Sequence, residues 1–151
     1  MKKTLWYNRL HEAGFRLTNP RNIIINILRN TTEHLSAEDV YVRALKINPS
    51  IGLTTVYRTL ELLHQIGVLH RFDFGEKKAR FELIDNHKKK EHHHHLVCMR
   101  CKNIIDYTDF LKEELELMKK TEKALSKKYH YKITHHVIDF YGICEKCQKA
   151  G

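Results

Sequence analysis

Cys98, Cys101, Cys144 and Cys147 form two C-x-x-C pairs, and His92, His93, His94 and His95 run directly ahead of the first pair. Each pair sets two thiols on one tight turn. Two such turns supply four sulfurs, the donor set of tetrahedral structural zinc. The 42 residues between the pairs (102–143) make a longer gap than in common zinc ribbons. Loop-closure entropy grows only logarithmically, so the extra length costs roughly 1 kcal/mol. Zinc binding is worth far more than that. Redox-active dithiols are the alternative. A thioredoxin-like motif opens a helix after a strand, and neither pair reads that way from the sequence.

The histidine run obeys a parity rule. On a strand, alternate side chains point to opposite faces. His92 and His94 therefore share one face, and His93 and His95 the other. Four consecutive histidines on a strand do not readily serve one ion. They serve two ions, one ion with an idle pair, or none, as surface histidines. Further nitrogen and oxygen donors stand near predicted element ends: His34, Glu82, Asp106, Glu113, His135 and His136. Such donors suit iron(II), manganese(II), nickel(II) or zinc(II).

The chain that must position these groups has 151 residues, 42% apolar and 30% charged, which is ordinary for a globular protein. That length suits one domain or two small ones. No stretch is apolar enough for a membrane span. The segment "MKKTLWYNRLHEAGF" has neither the apolar region nor the cleavage site of a signal peptide. The expected compartment is the cytoplasm, where cysteines are metal ligands more often than disulfides. The net charge of +9 points to nucleic acid or another anionic partner. It is spread along the chain: 13 Lys/Arg against 8 Asp/Glu in residues 1–84, and 14 against 10 in 85–151. Charge alone does not locate a binding face.

Element signals divide the chain. A first helix runs from about Lys3 to Ala13 and stops near Gly14. Thr18 caps a second, with Pro20 in its first turn and Ile23, Ile24, Ile27 and Leu28 at helical spacing. "SAED" (36–39) resembles a capping box and opens a third. After the turn "NPSIG", "LTTVYRTLELLHQIG" reads as a fourth, capped by Thr54 or its neighbour and ended by Gly67. Val56, Leu60 and Leu63 share its inner face, and Thr55, Tyr57, Arg58 and Thr59 lie outward. The period then changes. Val68, His70, Phe72 and Phe74 alternate, then Ala79, Phe81 and Leu83, around "GEKK": a hairpin. A helix–turn–helix followed by a basic hairpin is the outline of a winged-helix DNA-binding domain. The apolar-free "DNHKKKE" (85–91) is a linker. Beyond it, "HHLVC" and "NIIDY" predict short strands, 109–128 a helix, and 131–142 a strand leading to the second C-x-x-C. The expected organisation is α+β: a winged-helix domain over 1–84, a hinge over 85–91, and a small α/β dimerisation domain over 92–151. At this size the second domain needs a metal, a dimer interface or both.

"TVYRTLELL", "ARFEL", "HHHHLVCMRC", "IIDY" and "HHVIDFYGICEKC" together resemble the ferric uptake regulator (Fur) family of bacterial metal-dependent repressors. They fall in the family's order over nearly the whole chain. The resemblance implies a homodimer that binds a palindromic, AT-rich operator in double-stranded DNA when its regulatory metal is bound. It implies structural zinc on the four cysteines. It implies a regulatory site at the hinge on His34, Glu82, His93 and His95, with Asp106 a fifth ligand. It implies an additional site on His92, His94, Glu113 and His136. Both His-containing sites agree with the parity rule. Position 94 is His where iron-type members often have Asp, and the linker is longer than usual, with His87 in it.

DNA contacts implied by the resemblance are Tyr57 and Arg58, with Thr55 beside them and Arg16 entering a narrow minor groove. Lys77, Lys78 and Arg80 on the wing would attract the backbone in a salt-dependent way. Glu82 and Arg58 resemble the iron-responsive type more than the peroxide-sensing type, and no cysteine outside the C-x-x-C pairs serves the hinge site as in zinc sensors. The expected regulatory ion is iron(II), with zinc(II) or manganese(II) as alternatives. The alternative functions are a zinc-sensing or a peroxide-sensing repressor. An enzyme is not expected: the H-x-E…P-C-x-x-C pattern of zinc deaminases is absent. A metal store without DNA binding would not need the winged-helix pattern.

Overall fold

A computed structural model describes residues 4–75, 79–84 and 92–151. Lys77, Lys78 and the segment 85–91, with His87, lie outside the described residues. The chain forms two compact units, 1–90 and 91–151.

The first unit runs α1 (Leu5–Glu12), α2 (Asn19–Arg29), β1 (Leu35–Ser36), α3 (Ala37–Leu45), α4 (Leu53–Gln65), β2 (Leu69–Asp73) and β3 (Ala79–Leu83). The capping box at α3 is present. The Ser36 side chain accepts from the Asp39 N–H at 3.1 Å, and the Asp39 carboxylate accepts from the Ser36 N–H at 3.0 Å. Two other caps differ from expectation. Thr18 occupies the N-cap of α2, but its side chain makes no capping hydrogen bond. Gly52, not Thr54, is the N-cap of α4. Gly67, at φ +74°, follows the C-cap of α4 in the left-handed region where glycine costs least.

Ile24, Ile25 and Leu28 of α2, Val40 of α3, and Val56, Leu60 and Leu63 of α4 are fully buried together. Thr59, expected to face outward, is buried as well. It stands three residues after Val56 and four before Leu63, on the same helical stripe. Tyr57 and Arg58 remain exposed on the other side of α4.

Hairpin β2–β3 forms as the alternation predicts, antiparallel with Arg71 opposite Phe81. The sequence did not signal its third strand. β1 pairs antiparallel with β3, giving the order β1-β3-β2. A two-residue strand is too short to show a period.

The second unit runs β4 (His94–Cys98), β5 (Ile104–Tyr107), α5 (Leu111–Tyr129), β6 (Asp139–Gly142) and α6 (Glu145–Lys149). β4 is central, antiparallel to β5 and parallel to β6. The predicted strand over 131–142 is real only for its last four residues; 131–138 is irregular. Apolar and polar residues alternate over 131–134, but among the described residues no strand pairs with them. α5 has no buried residue. Among the described helices none is long and apolar enough to cross a membrane.

Two substitutions measure this packing. Leu60→Ala should cost about 2–5 kcal/mol, and Ser36→Ala about 1 kcal/mol through the lost cap. Urea unfolding followed by fluorescence of Trp6, the chain's single tryptophan and a core residue of the first unit, reads both.

Candidate metal centres and nucleic-acid interface

Cys98 ends β4, and the following turn brings back Cys101 before β5 begins. Cys144 is the N-cap of α6 and Cys147 lies within it. The second pair thus does follow a strand and open a helix, which corrects the expectation from sequence. What distinguishes it from a redox dithiol is the first pair beside it. The four sulfurs lie within 4.8 Å of one another, and Cys101 Sγ is 3.8 Å from Cys144 Sγ. Four ligands about 2.3 Å from a tetrahedral zinc sit about 3.8 Å apart, so the cluster fits that ion. Arg100 ties the two knuckles, donating from Nη1 to the Cys147 carbonyl at 2.7 Å.

The thiols differ in acidity. The Cys144 and Cys101 amides donate to Cys98 Sγ at 3.4 and 3.5 Å. These donors hold the Cys98 thiol down to about 6. The hydrogen bond shared with the Cys144 sulfur, then burial, push Cys147 up to about 12. One thiolate is stable in this cluster by itself. Four thiolates held this close repel one another, and a divalent cation among them would offset that charge.

The nitrogen and oxygen donors fall in separate groups. In the first unit, Leu35 opposite Phe81 sets the β1–β3 register, and this brings His34 beside Glu82. His34 Nε2 is 3.1 Å from Glu82 Oε2, with side chains only 10% and 6% exposed. The Phe72 ring stands edge-on to His34, centroids 5.0 Å apart.

In the second unit, strand parity holds. His95 lies opposite Asp106 on β5 and Asp139 on β6. Its Nδ1–H donates to Asp139 Oδ1 at 2.9 Å, and its Nε2 is 3.5 Å from Asp106 Oδ1. His93 Nε2 lies 4.0 Å from Asp106 Oδ2. Asp139 was not singled out from the sequence. Its signal was the parallel register between strands 44 residues apart, which spacing does not reveal.

The even-numbered histidines gather elsewhere. His92, His94 and His136 each offer a nitrogen within 4.8 Å of the others, and His92 Nε2 is 3.0 Å from His94 Nε2. Burial, followed by the neighbouring His94, His136 and His93, lowers the His92 pKa and favours the neutral, ligating form. Glu113, expected here, is exposed. Glu114 takes its place against His94 Nδ1 and accepts from Tyr107 Oη at 3.0 Å. Burial and Glu114 push the Tyr107 phenol up to about 12. His136 Nδ1 meets Glu122 Oε1 at 2.7 Å. His135 is exposed and 3.1 Å from the Thr134 hydroxyl.

On α4, Tyr57 and Arg58 are exposed and Thr55 is half-buried. Tyr57 Oη donates to the Glu38 carboxylate, which with burial raises the phenol's pKa. Glu38, in the first turn of α3, was not foreseen beside α4. Arg16 is exposed in the loop before α2, and its carbonyl accepts from Arg21 at 2.6 Å.

The sequence pattern of the Ferric uptake regulator family matches residues 12–141. The Ferric uptake regulation protein of Bacillus subtilis is 38% identical over 140 residues, covering 92% of this chain and 89% of that protein. The solved Ferric uptake regulator of Pseudomonas aeruginosa with manganese superposes with a TM-score of 0.66 at 27% identity, covering 94% of this chain and 99% of the other. The Campylobacter jejuni peroxide stress regulator gives a TM-score of 0.62 at 27% identity, over 96% and 99%.

The cysteine cluster makes a direct prediction. The purified chain should retain one zinc per protomer through dialysis, measured by elemental analysis. Cys147→Ser should lose it, and the remaining thiols should then react quickly with an alkylating reagent.

Proposed function

The chain belongs to the ferric uptake regulator family, and from that premise we propose an iron(II)-responsive repressor of metal-homeostasis genes. Members of this family are metal-responsive, DNA-binding transcription regulators rather than enzymes, and they act on operator DNA as dimers. The choice of iron(II) is finer than family membership. It rests on one observation: the donors outside the cysteine cluster are imidazoles and carboxylates without a thiolate, and Glu82 stands buried beside His34. Mixed nitrogen–oxygen sets suit iron(II) and manganese(II), whereas thiolates favour zinc.

We assign the regulatory ion to His34 and Glu82 of the first unit with His93, His95 and Asp106 of the second. A bound divalent ion supplies fixed positive charge and a set coordination geometry. Glu82 and Asp106 bring the compensating negative charge, and the strand pairings hold His34 and His95 in place beforehand. Such donors shift a conformational equilibrium only by their differential affinity for the two forms. The DNA-competent dimer would present two copies of α4 to successive major grooves. Tyr57, Arg58 and Thr55 would meet bases and phosphates there, with Arg16 in the minor groove and Lys77 and Lys78 on the backbone.

The dimer reading draws on exposed apolar side chains of the second unit. Leu96, Ile105 and Phe140 are about half exposed in the single chain (45%, 48% and 54%), on three adjacent strands with Leu96 opposite both others. α5 likewise buries none of its leucines fully. A partner copy would cover such surface. Zinc sensing is the second reading, because imidazoles also bind zinc and zinc exceeds iron(II) in intrinsic affinity.

Fluorescence anisotropy on the protein's own promoter, at fixed salt and without oxygen, tests the function. With the cysteine-bound zinc retained, binding should tighten at micromolar-range buffered iron(II), and zinc should act only above its cellular free level. Activation by zinc at vanishing free concentration, with iron inert, would make the protein a zinc sensor. Glu82→Ala should abolish the metal response while the structural zinc stays. Arg58→Ala should weaken DNA binding by about 1–3 kcal/mol if it reads a base, or weaken all sequences evenly and lower the salt slope by about one if it holds a phosphate. Ile105→Asp should shift the protein toward monomer in sedimentation analysis.

A further inference from the structure

Three acidic side chains stand around the start of α3, and two are committed locally. Glu33 pairs with Arg43, and Asp39 closes the capping box with Ser36. Glu38 differs. It is exposed in the first turn of α3, and among the described residues its hydrogen-bond partner is the hydroxyl of Tyr57, 19 residues away on α4. A negative charge near a helix N-terminus favours the helix. That accounts for the charge, and not for the contact across to α4. The protein carries a net charge of +9, and Tyr57 and Arg58 are exposed on α4. A phosphate approaching these two side chains would be repelled by Glu38.

A tyrosine hydroxyl has one proton to donate and lone pairs that accept. Tyr57 gives its proton to Glu38. The hydrogen bond from Tyr57 to Glu38, then burial, raises the phenol's pKa, so the group stays a neutral phenol at physiological pH. With its proton used, Oη has only lone pairs to offer. Phosphate oxygens, guanine N7 and O6, adenine N7 and thymine O4 all need a donor. Adenine N6 and cytosine N4 carry amino hydrogens in the major groove and need an acceptor. The Tyr57 side chain is 39% exposed and is tethered at its tip, so less torsional freedom is lost when a base meets it. Its neighbour Arg58 has donors only and supplies what Tyr57 then lacks.

We propose that Glu38 is a positioning residue for base readout: it holds the Tyr57 hydroxyl as an acceptor for the amino group of adenine or cytosine and withholds it from phosphate. Glu38 acts through Tyr57 and touches no base itself. Its charge weakens attraction to DNA in general while Tyr57 gains a preference at one base pair. A repulsive element that is kept beside an attractive one confers specificity in this way. The inference rests on α4 meeting the major groove, as in the proposed function, and not on which ion is regulatory.

The test uses the full chain with its cysteine-bound zinc retained. Duplexes of its own promoter, with single base pairs exchanged in turn, are titrated by anisotropy at fixed salt under buffered iron(II) and, in parallel, zinc(II). The parent should prefer an amino-bearing base by about 3–10-fold at one position of each half-site, the size of one hydrogen bond. Tyr57→Phe and Glu38→Ala should each bring that preference to within about twofold, and the double substitution should lose no more than either alone. Glu38→Gln, which keeps a carbonyl acceptor at the same reach, should keep most of the preference. Glu38→Ala should also tighten binding to unrelated DNA in a salt-dependent way, and Tyr57→Phe should not. Unchanged circular dichroism separates these effects from unfolding. A preference that survives Glu38→Ala, or one untouched by Tyr57→Phe, would overturn the positioning role. An equal loss on Glu38→Ala in Tyr57→Phe protein would also overturn it, making Glu38 a direct base contact. A Glu38-dependent preference in protein that binds without added metal would support this inference and count against the metal-responsive reading.

Discussion

The two-residue period of one strand organises the whole second unit. β4 is five residues long and central in its sheet. His94 points to one face and joins His92 and His136. His95 points to the other and lies between Asp106 and Asp139. Cys98 at the strand's end joins the cysteine cluster. Three donor groups therefore hang from one rigid element, and pleat geometry keeps the two histidine groups apart. A one-residue slip in register would exchange the faces and dismantle both. The flanking pairings resist that slip, because β5 and β6 bring Asp106 and Asp139 opposite the same His95.

Each donor group also shows how local electrostatics prepare a cation site. In the cysteine cluster, backbone amides favour the Cys98 thiolate, while the Cys144 sulfur and burial favour the protonated Cys147 thiol. His94, His95 and His136 each have a carboxylate beside Nδ1, from Glu114, Asp139 and Glu122 respectively. Such contacts hold the rings in a fixed orientation.

The first unit follows a different logic. Its helices are held by an aliphatic core, and its outward surface is left to α4. Glu38 stands beside the exposed face of α4 and engages Tyr57 through its hydroxyl proton. With that proton engaged, Tyr57 presents its ring and an acceptor oxygen, while Arg58 presents only donors. The two neighbouring side chains are thereby suited to different partners.

Much of this was legible in residue order, because the rules involved are local. The 3.6-residue stripes of α2 and α4, the capping box at Ser36 and Asp39, the hairpin and the parity of the histidines all depend on neighbours within a few positions. The doubled C-x-x-C declared its donor set by composition. Other features came only with tertiary structure. Strand β1, which sets His34 beside Glu82, is two residues long and exists through its pairing with β3. Asp139 reaches His95 through a parallel register across a distant connection. Thr59 is buried because α4 packs on three sides of its stripe, although its type reads as polar. The choice between Glu113 and Glu114 is a matter of helix phase. Adjacent positions differ by about 100° in direction, and only the packing of α5 against the sheet decides which of them faces the histidines.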